Sequence, residues 1–361
     1  MKKKLFKILS IFLILAFSAA LLSACGSNGD IQNPDQPNQI ESTGEIMEFF
    51  PFAADTMFVY QGDNDERFNQ LTFAGFIEGN MMQRIVNQGA ITTTEVFKYE
   101  NGELRLTFAN HIVYDFINVM DEPANLDFII LQEPLVVGNS WSMTGSDTTE
   151  IVSMDTEVET PHGTFTAMRV VTTHPNGDKT ISYFARGVGL VRQAVVWDGE
   201  ENGYSLFDIV EDTRCELFIS MYWLDENTLE LNSEFVRLSF ATNDDVLGIL
   251  ADVLKTEGEN FGPFLTPNTR INGIMIDSPN SILTFDVSSD FIGELNLSSD
   301  DEEIKLQMLA NTVGNFFMVN RFVITVDGAA YSSDNFDFPT GSYIIVEKIE
   351  IDDFFGFTVE D

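Results

Sequence analysis

The sequence predicts an α+β protein. An N-terminal all-β part, an antiparallel curled sheet or small barrel, precedes a C-terminal α+β module ordered β-β-α-β-β-α-β. Three observations predict this. From Phe49 to about Ile209, short runs of alternating apolar residues are separated by turn dipeptides such as NG and DG, the pattern of strands joined by hairpins. Beyond Cys215, two stretches carry a helical apolar period and open with capping residues. Finally, 44% hydrophobic residues, including 32 Phe among 361 residues, are enough to fill a globular core, and the length suggests about two domains.

The first element lies ahead of the folded part. Lys2, Lys3, Lys4 and Lys7 form a basic region, and Ile8 to Ala20 is almost wholly apolar, the layout of a secretory signal. The apolar stretch is marginal for spanning a hydrocarbon core of about 30 Å and ends in small residues, without a basic flank. Leu22, Ser23, Ala24 and Cys25 then resemble the lipobox of bacterial lipoproteins, which implies diacylglycerol on Cys25 and cleavage just before it. The plainer alternative is an ordinary signal peptide with a fortuitous cysteine. Acyl chains contribute about 0.8 kcal/mol per buried CH₂, so two or more of them anchor a protein stably. Residues 26–44, rich in Ser, Asn, Gln, Pro, Gly and Asp, have the composition of a disordered spacer.

The formal charge is −38, and loss of the four signal lysines would carry it to −42. So acidic a surface repels nucleic acid and anionic lipid, and neither is expected as a partner. The runs DNDE (63–66) and DDEE (300–303) lack the ligand spacing and glycine of a calcium loop and read as solvated faces. With Cys25 consumed by lipid, Cys215 has no disulfide partner and is expected to be a buried, inert thiol.

In the β part, TTEVFKY, ELRLTFAN, TFTAMRVVTTH and TISYFARGVGLVRQAVVW are the strand runs, ending at ENGE, PNGD and DGEENG. FFPFAADTMFVY and QEPLVVGNSWSM share a spacing, Pro51 to Phe58 and Pro134 to Trp141, which suggests one strand-entry device used twice. These segments and YFARGVGLV resemble parts of β-rich bacterial lipoproteins of unassigned role. GVG at 187–189 is followed by no helix start, so it reads as a bend rather than a nucleotide loop.

In the C-terminal part, ELFISMYWL and SEFVRLSF are strands. TNDDVLGILADVLKT is a helix with Thr242 and Asp245 as its capping pair. RINGIMI and ILTFDVS flank the turn DSPNS, and SSDDEEIKLQMLANTVGNFF is a second helix entered by Ser299 and Glu302. RFVITVDG supplies the last strand and turn. LTPNTRING, TFDVSSDF and ANTVGNFFMVNRFVITVDG together resemble the GerMN domain of sporulation and germination lipoproteins, over roughly 215–348. The family-motif positions are Pro267, Thr269, Asp286, Asn311, Thr312, Asp327 and Gly328. SPNS replaces the family's glycine-containing hairpin turn, and a single copy is present. The resemblance implies a non-catalytic, extracytoplasmic interaction module like those that stack in envelope assemblies. The expected organisation is a signal peptide over 1–24, lipidated Cys25 and spacer over 25–44, an all-β domain over 45–212, a GerMN-like domain over 213–348 and an acidic tail over 349–361.

Residue patterns that would carry chemistry are sparse. His111, His162 and His174 are scattered and belong to no metal motif. GNSWSMTG is not a nucleophile elbow, and the abundant carboxylates single out no pair. No catalytic residue, metal or cofactor is expected. The sequence thus points to a lipid-anchored protein on the extracytoplasmic face of the cell membrane, binding an envelope protein or itself in sporulation, germination or general envelope assembly. A β domain holding a small apolar ligand is the alternative, and a secreted hydrolase the third reading.

Overall fold

A computed structural model describes residues 45–347 apart from 64, 90, 112–116, 226, 227 and 229. The signal peptide, Cys25, the spacer and the acidic tail lie outside the described residues, as does the side chain of His111. The described part opens with α1 (Ile46–Phe49) and continues into a first run of strands: β1 (Met57–Gly62), β2 (Gln70–Glu78), β3 (Met81–Asn87), β4 (Thr92–Glu100), β5 (Glu103–His111) and β6 (Phe128–Gln132). A second run follows: β7 (Ser140–Trp141), β8 (Thr148–Thr160), β9 (Gly163–Thr173), β10 (Lys179–Ala185), β11 (Gly189–Trp197) and β12 (Glu200–Val210). Each run is an up-and-down meander, and antiparallel pairing of β1 with β12 merges them into one 12-stranded sheet. The remaining gap is narrowed by side-chain and backbone bonds between β6 and the β7 region. Trp141 Nε1 donates to the Ile129 carbonyl at 3.0 Å, and Ile129 N donates to the Met143 carbonyl at 3.3 Å.

Turn chemistry explains the tight hairpins. Asn101–Gly102 and Asp198–Gly199 all have positive φ and form two-residue loops between paired strands, a geometry whose twist suits antiparallel neighbours. Gly187 and Gly189 sit at the β10–β11 turn, where the Gly187 N–H reaches the Glu48 carbonyl at 2.6 Å.

The C-terminal part begins with the two-stranded ribbon β13 (Cys215–Leu224) and β14 (Leu231–Phe240), followed by α2 (Val246–Leu254). Next come β15 (Ile271–Asp277), β16 (Ile282–Val287), α3 (Asp290–Gly293), α4 (Ser299–Phe316), β17 (Arg321–Val326), β18 (Ala329–Ala330) and β19 (Ile344–Ile345). β16 and β17 run parallel, with α4 as the crossover between them.

The α+β expectation is corrected. Strands make up 49% of the structure and helices 13%, dominated by a large, nearly closed antiparallel sheet rather than a small barrel beside a balanced α+β module. The helical period beyond Cys215 is real but confined mainly to α2, nine residues long, and α4, eighteen residues long. The capping residues also differ from expectation. Asp245 alone caps α2, accepting from Gly248 N at 3.0 Å. Ser298, rather than Ser299, caps α4 by accepting from Asp301 N.

Alternation along β2–β5 serves two cores. One face contributes Ala74, Met82, Phe97 and Leu104 to a cluster with Leu131, Trp141, Ile151 and Phe184 within the curved sheet. The opposite face contributes Phe73, Phe76, Ile85, Val96 and Phe108 to a cluster completed by Ile219, Phe240, Leu250, Phe285 and Leu309 from beyond Cys215. Thr242 fastens this junction. Its hydroxyl accepts from Asp55 N and donates to the Ala74 carbonyl, while its own N–H donates to Asp55 Oδ1. Cys215 is buried there, 3% exposed.

Candidate functional site

The family-motif positions fall into separate places. Pro267 is exposed, and Thr269 is fully buried with its hydroxyl 2.5 Å from that of Thr266. Asp286, Asp327 and Gly328 do come together. Asp286 Oδ1 accepts from Thr325 Oγ1 at 2.6 Å and from Gly328 N at 2.8 Å, and Asn272 Nδ2 bridges Asp286 Oδ2 and Asp327 Oδ1 at 3.1 Å each. Asp327 and Gly328, both with positive φ, form the β17–β18 turn, and Ser289 and Asn272 hold the Asp327 carboxyl below its ordinary range. These side chains spend their hydrogen bonds on tying strand ends and a turn together.

Asn311 and Thr312 face different neighbours. Thr312 Oγ1 accepts from Tyr222 N at 3.0 Å, so α4 covers the outer edge of β13. Asn311 belongs to an amide ladder. Gln307 Nε2 donates to the Ile345 carbonyl, Asn311 Oδ1 accepts from Glu347 N, and Asn315 Nδ2 donates to the Glu347 carbonyl, each at 2.8–2.9 Å. Residues four apart on a helix rise about 6 Å, close to the repeat of two residues in a strand, so one helix face can serve an extended segment as if it were a neighbouring strand.

Glu302, expected at the helix start, is instead only 2% exposed. Tyr331 OH and Ser333 Oγ donate to its Oε1 at 2.5 Å, and Asn335 Nδ2 to its Oε2 at 2.6 Å. Burial opposes its charge, but these donors outweigh burial and lower its pKa. The only sequence signal for this was the polar run YSSDN after the last turn.

Within the curved sheet, Arg84 pairs with Glu95 at 2.6 Å and lies over the rings of Phe97 and Phe50, 4.7 and 5.7 Å from their centroids. Nearby, burial raises the pKa of Tyr60 and pushes that of Tyr204 up to about 12. The cavity beside them, lined by Phe50, Phe58, Tyr60, Met82 and Arg84, holds about 40 Å³. That is room for a few water molecules, far short of a lipid.

A larger space lies on the opposite face of β8–β11, with a volume of about 470 Å³. Its lining falls into cross-strand rows: Thr148, Thr173, Lys179 and Val196, then Glu150, Val171 and Ile181, with Arg169 beside Tyr183 beyond. Ten of the fourteen Arg and Lys side chains among the described residues make ion pairs, but Arg169 and Lys179 make none. Arg169 Nε is buried without a hydrogen-bond partner.

Of the histidines, His162 Nδ1 lies 3.6 Å from Asp208 and the His162 ring stacks on Phe165, while His174 Nε2 is 2.9 Å from Thr180 Oγ1. Among the described residues no cluster of three or more His, Cys, Asp or Glu is placed to hold a metal. No described helix is long and apolar enough to cross a membrane.

No protein-family model and no curated protein matches the chain. Three solved structures are similar over part of it. A "putative lipoprotein" from Clostridium perfringens is 18% identical, covering 37% of this chain and 87% of its own, with a TM-score of 0.24. A "putative exported protein with YmcC-like fold" from Bacteroides fragilis is 13% identical, covering 45% and 99%, with a TM-score of 0.29. A protein from Parabacteroides distasonis, named like the first, is 16% identical, covering 45% and 98%, with a TM-score of 0.26. TM-scores this far below 0.5 transfer neither fold nor function.

Proposed function

We propose that this is an exported lipoprotein, anchored through acylated Cys25 on the extracytoplasmic face, that docks an envelope protein through its C-terminal sheet and is not an enzyme. The anchor rests on the order of basic region, apolar run and LSAC. The docking role rests on one observation: among the described residues, the C-terminal sheet is covered on a single face. Leu283, Phe285, Phe322 and Ile324 point into the core, whereas Met275 on β15, Ile345 on β19 and nearby Tyr343 are 70%, 57% and 50% exposed. Among the described residues β15 also ends the strand order of its sheet and has no strand partner on its outer edge, a row of backbone donors and acceptors that suits strand addition. The GerMN-like residues Asp286, Asn311, Thr312, Asp327 and Gly328 support the reading indirectly, since they tie strands, turn and helix together around that sheet. A role in sporulation or germination is part of this proposal through the motif resemblance alone.

The test is crosslinking in intact cells with the full chain carrying Met275→Glu and Ile345→Glu. Loss of the crosslinked partner from a protein that stays folded and membrane-bound is expected. An unchanged partner set would overturn the docking role.

A further inference from the structure

We propose that the face of β8–β11 binds an anionic amphiphile, a carboxylate on an aliphatic chain, with Arg169 taking the carboxylate. This stands apart from the docking reading, which concerns the other end of the chain. In a molecule with 57 acidic and 19 basic side chains, a cation normally finds a carboxylate. Among the described residues Arg169 has none; its Nε–H is buried without a hydrogen-bond partner, and its side chain lines the space. A buried donor without a partner costs about 1–3 kcal/mol, and an oxyanion is the group that satisfies a guanidinium best. The Tyr183 ring, 6.0 Å from the guanidinium carbon, restrains the side chain on one side.

The rest of the face suits an aliphatic body. Val152, Val171, Ile181 and Val196 form an apolar floor, and the volume of about 470 Å³ lies in the range of small-molecule sites. Arg169 is paired across from Tyr183, four residues along β10 from Lys179, so the backbone positions of the two cations lie about 13 Å apart along the strands. Lys179, which also lines the space, adds attraction for an anion from the far end. Glu150, opposite Val171 in the middle row, disfavours a carboxylate at the centre and leaves the Arg169 end for it. The other cation close to that end, Arg192, is already paired with Asp63 and Glu201 at 2.9 Å each.

The probe is dodecanoate below its micelle concentration, titrated calorimetrically into the folded chain. Acetate serves as a head-only control and dodecylammonium as a charge-reversed one. Saturable binding of dodecanoate alone is expected, weakened about tenfold by Arg169→Gln and a few-fold by Lys179→Gln, since a lost charge-assisted bond is the larger effect. Absence of saturable binding, equal binding of dodecylammonium, or affinity unchanged in both variants would overturn the proposal. Circular dichroism of each variant separates loss of binding from loss of fold.

Discussion

At the scale of single residues, Glu302 carries the sharpest energetic statement. Its carboxylate is buried under three donors, so its folded pKa lies below the value near 4.3 of an unfolded chain. A lowered folded pKa means that its contribution is complete above the unfolded value and is lost as pH falls through the folded one. Glu302→Gln, which keeps the shape but removes the charge and one acceptor, should cost about 1–3 kcal/mol at pH 7. The gap between wild type and variant should narrow progressively as pH falls below the unfolded value of about 4.3, and urea melts at a series of pH values would show it. A gap constant down to pH 3 would mean that charge is not what Glu302 contributes. The sequence hid this role because Ser299 and Glu302 have capping-box spacing, and only the return of Tyr331, Ser333 and Asn335 from the far side of β17 shows which way the side chain turns. Thr242 was hidden likewise. It sits near a helix start, yet it binds Asp55 and Ala74, both distant in sequence.

At the scale of elements, α4 holds the last described segment by side chains rather than by strand pairing alone, and Gly314 permits the close approach. A Cβ at Gly314 would run into Val346 Cγ2. Gly314→Ala gains about 1 kcal/mol in helix propensity, so net destabilisation would identify the collision as the larger effect. Faster hydrogen exchange at the Glu347 amide, with partial rescue by Val346→Ala, is the expected result. Exchange unchanged from wild type would place the segment's grip elsewhere. Asn311→Ala should raise the same exchange rate by removing the acceptor of Glu347 N. Short elements were well marked in the sequence, because NG and DG dictate left-handed turns locally. The Pro-to-aromatic spacing was informative in a way that only the fold reveals: Phe58 and Trp141 lie in β1 and β7, the strands that open the two meanders. The pairing of β1 with β12 left no such trace, since register across about 145 residues is set by packing rather than by any local motif.

At the scale of the whole molecule, one apolar core draws residues from both sides of position 213, with the Phe73 and Phe240 rings meeting edge to face at a centroid distance of 6.1 Å. Phe240→Ala should therefore cost about 3–5 kcal/mol and lower the melting of both parts in a single transition, as read by calorimetry. Two separate transitions, one unshifted, would show that the parts unfold independently. The proportion of strand to helix was misjudged because amphipathic periods announce helices clearly, whereas long β-hairpins of mixed polarity add up quietly along the chain. The candidate binding face was illegible for a related reason: Arg169, Lys179 and the valines between them are spread over four strands and converge only through sheet register. The anchor, in contrast, is a purely local signal and is most directly tested by mass spectrometry of the mature N-terminus, alongside membrane fractionation of Cys25→Ser. The expected result is a first residue Cys25 bearing a diacylglycerol thioether, and release of the Cys25→Ser protein from the membrane fraction. An unmodified N-terminus beginning elsewhere, with membrane retention unchanged by the substitution, would contradict it.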